Sequence, residues 1–364
     1  MSLLEIRHLS THFQTAQGTV KALRDVSFRV SPGEVFGLVG ESGSGKSVSM
    51  LSLMGLLGEN SVIPEGEILF GGRDISPSEL NTKKKRREYE KKMRKLRGGE
   101  ISMIFQDPMT FLNPVLKIGT QICEGILAHI HCSREEARIR AIELMRQVGI
   151  PSPEKRLEQY PFEFSGGMRQ RIIIAAALAC KPKLIIADEP TTALDVTVQA
   201  QILELIQTLT DESGAAVIMI THDLGVVATL CDRIAILYAG RVMEEGLTEE
   251  IFYNPKHPYT RGLLGSINNS EKDGNEPLRP IPGTPPDLLK LPAGCAFMPR
   301  CQEALRICAA QEPPESSFSG THRCFCWQNS MDASLITVPT PAAAKRAPSE
   351  AEAQNLALSA AREG

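Results

Sequence analysis

The chain has 364 residues, enough for one large domain or two smaller ones with a sizeable core. Its composition is that of an ordinary globular protein, and a net charge of −3 argues against a nucleic-acid partner. The longest apolar run, Ile172 to Cys180, falls well short of the about 20 residues that span a bilayer, and Met1 leads into strand-like sequence with no signal-peptide pattern, so a cytosolic protein that meets a membrane only through partners is expected.

Leu3 to Leu9 and Val20 to Val30 alternate like half-buried strands. Ser31-Pro32-Gly33-Glu34 reads as a turn into the apolar strand Val35 to Val39. Gly40-Glu41-Ser42-Gly43-Ser44-Gly45-Lys46-Ser47 follows, and an amphipathic helix continues through Val48 to Leu57. Strand, glycine-rich loop and helix form the context that a phosphate-binding loop requires. Its glycines let backbone N–H groups turn inward around a phosphate, Lys46 brings a point charge to the β- and γ-phosphates, and Ser47 offers its hydroxyl to Mg²⁺.

Glu67 to Phe70 is a short strand, and Lys83 to Arg97 is strongly basic. A solvated, charge-rich helix is the plain reading of that segment; contact with anionic lipid headgroups is the sharper one. Glu100 to Phe105 reads as a buried strand ending at Gln106. Helical periodicity runs from Leu116 to Gly149, with a capping box at Ser133 to Glu136. Ser165-Gly166-Gly167 opens a further helix, with Ser165 as its N-cap, and gives the chain a second anion-binding helix start. One nucleotide on one chain does not account for two such sites.

Leu184 to Ala187 is an apolar strand ending in Asp188 and Glu189. A carboxylate at that mouth suits Mg²⁺, which fits Asp188, and the next one, Glu189, is placed to polarise an attacking water as general base. Val196 to Leu209 is an amphipathic helix, and Ala216 to Ile220 and Ile234 to Leu237 are buried strands. His222, like Gln106, stands just past a strand end, where open α/β sheets place ligands. Strands alternating with helices imply a largely parallel sheet, interrupted by a helical subdomain over about 113–175.

Taken in order, these motifs resemble the ATP-binding subunit of an ABC transporter: Gly40 to Ser47, Gln106, Ser165 to Met168, Leu184 to Asp188 with Glu189, Ala193-Leu194-Asp195, and His222. The resemblance implies an α/β P-loop NTPase with a RecA-like core sheet, an antiparallel β subdomain, an α-helical signature subdomain and a small Cys-rich C-terminal extension. It implies that Gly40, Ser42, Gly43, Gly45, Lys46 and Ser47 bind ATP, that Phe13 stacks on adenine, and that Ser47, Gln106 and Asp188 serve Mg²⁺. Glu189, His222 and Gln106 are the implied catalytic residues. Gly166 and Asp195 are also implied to bind nucleotide, and Ser165 and Gly167 would contact ATP bound by an opposing subunit, so that two chains sandwich two nucleotides head to tail.

Ile104-Phe-Gln-Asp-Pro-Met109, Leu112-Asn-Pro114, Ala187 to Gln201 and His257-Pro-Tyr-Thr260 are similar to the dipeptide, oligopeptide and nickel importer branch. Thr191-Thr192 and Ile174 to Cys180 resemble its "D" type ATPase subunit. The implied partners are an "F" type ATPase subunit or a second copy, two transmembrane permease subunits and, indirectly, an extracytoplasmic binding protein, at the cytoplasmic face of the inner membrane. Nickel, glutathione and antimicrobial peptides stand as alternative cargoes; a non-transport ABC ATPase is the alternative machine.

The expected organisation is a nucleotide-binding domain over 1–253, an extension over 254–330 and a disordered, Ala/Ser/Glu/Pro-rich tail over 331–364. Five of the nine cysteines lie between Cys295 and Cys326. In a cytosolic chain that clustering suggests a metal or cluster rather than disulfides. Cys295, Cys301 and Cys308, with Cys326 preferred over Cys324 as the fourth, resemble the extension in which some relatives hold a [4Fe–4S] cluster. Four thiolates fit such a cluster or a zinc ion, and reduced structural cysteines are the other reading.

Overall fold

The computed structural model describes residues 2–77, 82–106, 111–192, 195–266 and 281–330. The chain divides into two compact units, the first comprising 1–255 and 317–323, the second comprising 256–316 and the residues from 324 onward.

The first unit opens with β1 (Leu4–Thr15) and β2 (Gly18–Val30), then β3 (Val35–Val39), α1 (Lys46–Met54), β4 (Ser61–Phe70) and β5 (Arg73–Asp74). β1 pairs antiparallel with β2 and with β4, giving a four-stranded sheet in the order β2-β1-β4-β5. The strand read over Glu67 to Phe70 starts earlier, at Ser61, because its largely exposed first half is held by pairing with β1 rather than by burial. α2 (Lys83–Leu96) and β6 (Ile101–Ile104) follow.

The helical portion comprises α3 (Ile118–His129), α4 (Arg134–Gln147), the single turn α5 (Pro153–Arg156) and α6 (Gly166–Leu178). The periodic stretch from Leu116 is therefore two helices. The Ser133 capping box is formed: Glu136 N–H donates to the Ser133 hydroxyl, and Ser133 N–H to the Glu136 carboxylate.

β7 (Leu184–Asp188), α7 (Val196–Ser213), β8 (Ala216–Thr221), α8 (Leu224–Leu230), β9 (Arg233–Tyr238), β10 (Arg241–Leu247) and α9 (Thr248–Tyr253) complete the unit. Six of the eight strands of its larger sheet run in the order β10-β9-β3-β8-β7-β6. The pairs β9/β3, β3/β8, β8/β7 and β7/β6 are parallel, and β10 is antiparallel to β9. Every residue of β3, β6, β7, β8 and β9 is buried, as strands covered on both faces require. Arg233, buried at the head of β9, is neutralised by Glu34 at 3.1 Å and lies over the Phe36 ring at 5.1 Å.

Residues 317–323 belong to the first unit although the chain reaches them by way of the second. Buried His322 Nε2 lies 2.8 Å from Oε1 of fully buried Glu244, and Arg323 donates to Glu245 and to Ser27 O, both at 2.6 Å. Ser319 and Thr321 hydroxyls donate to Glu250. No apolar period marks this strap; its hold on β10 is polar.

In the second unit, α10 (Pro258–Gly265) is capped by His257, whose Nδ1 accepts from Tyr259 N–H at 3.0 Å. Tyr259 and His257 pack on Phe297. Among the described residues, no helix is long and apolar enough to cross a membrane. The tail expected over 331–364 lies outside the described residues.

Candidate functional site

The adjacent parallel strands β3, β8, β7 and β6 each deliver a candidate residue at the carboxyl end: the glycine-rich loop after Val39, His222 after Thr221, Asp188 and Glu189 from β7, and Gln106 just beyond Ile104. In the loop, a Cβ on Gly40 would lie 2.2 Å from Leu237 O, so no side chain fits there. Gly43 adopts φ 76° and faces open space, which leaves its backbone approachable by a phosphate. α1 begins at Lys46 without a side-chain cap, and its first amides remain available to an anion.

Lys46 is 6 % exposed. Its Nζ donates to Gly40 O at 2.7 Å and to Glu41 O at 3.0 Å. Burial draws its ammonium pKa down, opposed by the carboxylates of Glu189 and Asp188. The Ser47 hydroxyl donates to Asp188 Oδ1 at 3.1 Å. Burial pushes the Asp188 carboxyl up; the Ser47 bond opposes this, and neighbouring Glu189 adds to it. A buried carboxylate beside a hydroxyl, with a second carboxylate next to it, is a donor set suited to a hard cation such as Mg²⁺.

Glu189 occupies the left-handed region with φ 45°, a conformation of appreciable strain for a residue with a Cβ. Its N–H donates to Ile220 O at 2.9 Å, and its own carbonyl accepts from Thr192 N–H at 3.2 Å. The turn throws the side chain across the strand ends. Oε2 accepts from Gln106 Nε2 and from the Thr192 hydroxyl, each at 2.9 Å, and His222 Nδ1 stands 3.2 Å from Oε1. Lys46, Ser47, Gln106, Asp188, Glu189 and His222 are thus brought into one cluster.

Thr192 is the member that the sequence reading uses only as a mark of subunit type. The available signal is its offset: three residues beyond a carboxylate that closes a tight turn, its hydroxyl can return to that carboxylate.

Ser165 and Asp195 do not join this cluster; each caps its own helix. Ser165 accepts from Met168 N–H at 3.4 Å and Asp195 from Val198 N–H at 3.0 Å. Ser165 and Gly166 are exposed. A Cβ on Gly167 would come 2.9 Å from Val198 Cγ1, so this glycine also permits close packing of α6 on α7. Phe13 lies half-buried in β1, opposite Val20 and Ser61. Ala193 and Leu194, and Asp107 to Met109 of the importer-like segment, lie outside the described residues.

In the second unit, Cys295, Cys301, Cys308 and Cys326 line one small pocket together with His257 and Trp327. Burial pushes the thiols of Cys295 and Cys326 up to about 12, Cys301 up to about 11, and Cys308 upward. Cys324 is fully buried, and its Sγ accepts from Asn329 Nδ2 at 3.4 Å. Among the described residues, no three His, Cys, Asp or Glu groups stand close enough to hold a metal ion. The four sulfurs share this one pocket.

A model of the ABC transporter family matches residues 23–192, and one of the oligopeptide/dipeptide transporter C-terminal region matches residues 243–308. The chain is 51% identical over 344 residues to the oligopeptide transport ATP-binding protein OppD of Bacillus subtilis, covering 94% of this chain and 93% of that one. It is 50% identical to the dipeptide transport ATP-binding protein DppD of the same organism, over 89% of this chain and 94% of the relative. The OppD protein of Escherichia coli is 49% identical over 89% of this chain and 93% of its own length. Among solved structures, a dimer of the ATP-binding cassette MJ0796 bound to ADP and Pi matches with a TM-score of 0.57 at 28% identity, over 67% of this chain and 98% of the cassette.

Proposed function

The chain belongs to the ABC transporter family, in its oligopeptide and dipeptide transport ATP-binding branch, and from that premise we propose that it is the ATP-hydrolysing subunit of a peptide importer. The observation that carries the reading is the saturation of Glu189 by Gln106, Thr192 and His222 beside Lys46, Ser47 and Asp188.

Lys46 Nζ exchanges its two loop carbonyls for the β- and γ-phosphate oxygens of ATP. Ser47 and Asp188 hold Mg²⁺, with Gln106 reaching the same site. Mg²⁺, when bound, neutralises charge on the transferring phosphoryl group. Glu189 orients the attacking water and draws its proton, and His222 holds the γ-phosphate side of that water. Positioning and electrostatics, rather than a covalent step, carry phosphoryl transfer.

Ser165 and Gly166, exposed at the start of α6, and Gly167 beside them, together with Asp195, complete the pocket of a partner ATPase in a head-to-tail pair. That partner is an F-type subunit or a second copy. Phe13 stacks on adenine. The pair drives two permease subunits from the cytoplasmic face of the membrane. Cys295, Cys301, Cys308 and Cys326 hold a [4Fe–4S] cluster or a zinc ion in the extension; the donor set fits, and the sulfurs would close on the group as their protons leave.

The test is reconstitution with a pair of peptide-importer permease subunits and a labelled dipeptide. Uptake that needs ATP, and that stops together with hydrolysis when Glu189 or the partner-facing Ser165 is changed, is the expected result. ATP turnover at the parental rate with Ser165 and Gly167 disrupted in every ATPase copy would overturn the paired-pocket reading.

A further inference from the structure

Ten of the fifteen residues from Lys83 to Arg97 are Lys or Arg and two are Glu; of the chain's 40 basic and 43 acidic residues, 30 and 41 remain outside the segment. The segment is thus strongly positive on a chain that is otherwise acidic. Helix stability does not explain it. The first turn of α2 carries Lys83, Lys84 and Lys85 and no acid, although the helix dipole favours acids there. Like charges recur at helical spacing, as in Lys84 and Arg87 or Lys91 and Lys95, and repel. Only Met93 and Leu96 of the helix are buried.

The helix is nevertheless firmly seated. The Arg97 guanidinium donates to Met54 O at 2.7 Å and to Gly55 O at 2.9 Å, the carboxyl end of α1, while Glu90 accepts from its other arm at 2.8 Å. Beside this fork lies a groove of about 550 Å³ lined by Leu57, Val62, Ile63, Arg86 and Tyr89. Val62 is 46% exposed. The buried Tyr89 hydroxyl has no hydrogen-bond partner among the described residues.

We infer that α2 and this groove form a docking surface for anionic phospholipid headgroups, separate from any contact with permease subunits. The basic face meets the phosphates, and Leu57, Val62 and Ile63 meet the apolar edge of the interface. Basic residues beside exposed Val62 and half-buried Leu57 and Ile63 are the pattern of a membrane-surface site. A nucleic-acid strand is disfavoured: the one aromatic of the segment, Tyr89, is turned against Gly55 and gives bases no open ring on which to stack. The inference rests on the transporter reading only for bringing the chain to a membrane.

The experiment is flotation of the purified full chain, without permease, on phosphatidylcholine vesicles and on vesicles of phosphatidylcholine mixed with phosphatidylglycerol. Binding at least tenfold tighter to the mixed vesicles, weakening as salt is raised, is expected. Each cation near an anionic surface contributes roughly fivefold, so Lys84→Gln, Arg87→Gln, Lys91→Gln and Arg94→Gln together should lower vesicle affinity by about 600-fold. ATP binding and hydrolysis by this variant should match the parent, which also shows that it folds. Val62→Ser should weaken binding by a smaller factor. Equal binding to both vesicle types, parental binding by the fourfold variant, or tighter capture by double-stranded DNA than by anionic vesicles would each overturn the inference. A parent that floats but hydrolyses no ATP leaves the lipid surface standing and removes the catalytic reading instead.

Discussion

The nucleotide site and the thiol pocket handle buried ionisable groups in opposite ways. At the strand ends each charged group has a hydrogen-bond partner: Lys46 has loop carbonyls, Asp188 has Ser47, and Glu189 has three donors. In the second unit, burial raises all four pocket thiols, and backbone hydrogen bonds oppose it only weakly. The first site is arranged before its ligand arrives. The second offers buried thiols whose protons a bound metal would have to displace. Preorganisation here follows from paired charge, not from burial alone.

The sharpest break in that comparison is Glu189→Gln. Hydrolysis should fall by about 100- to 10,000-fold while ATP affinity holds, because the amide keeps the shape but cannot take a proton. Steady-state turnover set beside equilibrium nucleotide binding checks it; a normal rate would strip Glu189 of its role. On the thiol side, Cys326→Ser should lower bound iron or zinc more than the about 10- to 100-fold typical of losing an outer partner of a metal site, whereas Cys324→Ser should retain it. Metal analysis of anaerobically purified protein decides between the two sulfurs, and the reverse pattern would make Cys324 the ligand.

Thr192→Val removes one hydrogen bond to the charged Glu189. About a tenfold drop in kcat with little change in KM is expected, and Thr192→Ser should restore it. A rise in KM instead would place Thr192 in nucleotide binding. The last effect concerns pH. Burial pushes the Cys231 thiol up to about 12, against an ordinary value of 9.0. The folded chain then keeps a proton that the unfolded chain loses above pH 9, so this contribution is complete below pH 9 and declines by about 1.4 kcal/mol per pH unit beyond it. Cys231→Ala should flatten that share of the alkaline decline in denaturant midpoints.

The parts legible in the sequence are those fixed by neighbours. Gly40 to Ser47 announces its loop because each conformational demand falls on an adjacent residue. The buried strands β3, β7 and β8 are continuous apolar runs that admit one placement. What escaped depends on partners far along the chain. Thr192 matters only once the left-handed turn at Glu189 is known. The grip of Arg97 on α1 joins residues more than forty apart. The strap at 317–323 is polar, and His322 gains its meaning from Glu244, which no local pattern pairs with it.

The strap carries one more consequence. The backbone passes from the first unit to the second, back, and out again, so no single break in the chain yields two whole halves. A truncation at 316 would take His322 from Glu244 and Arg323 from Glu245, so two buried acids would each lose a hydrogen-bond partner. Exchanging extensions between related ATPases therefore demands that the graft bring its own His-Arg clasp, or that the recipient's acids be replaced along with it.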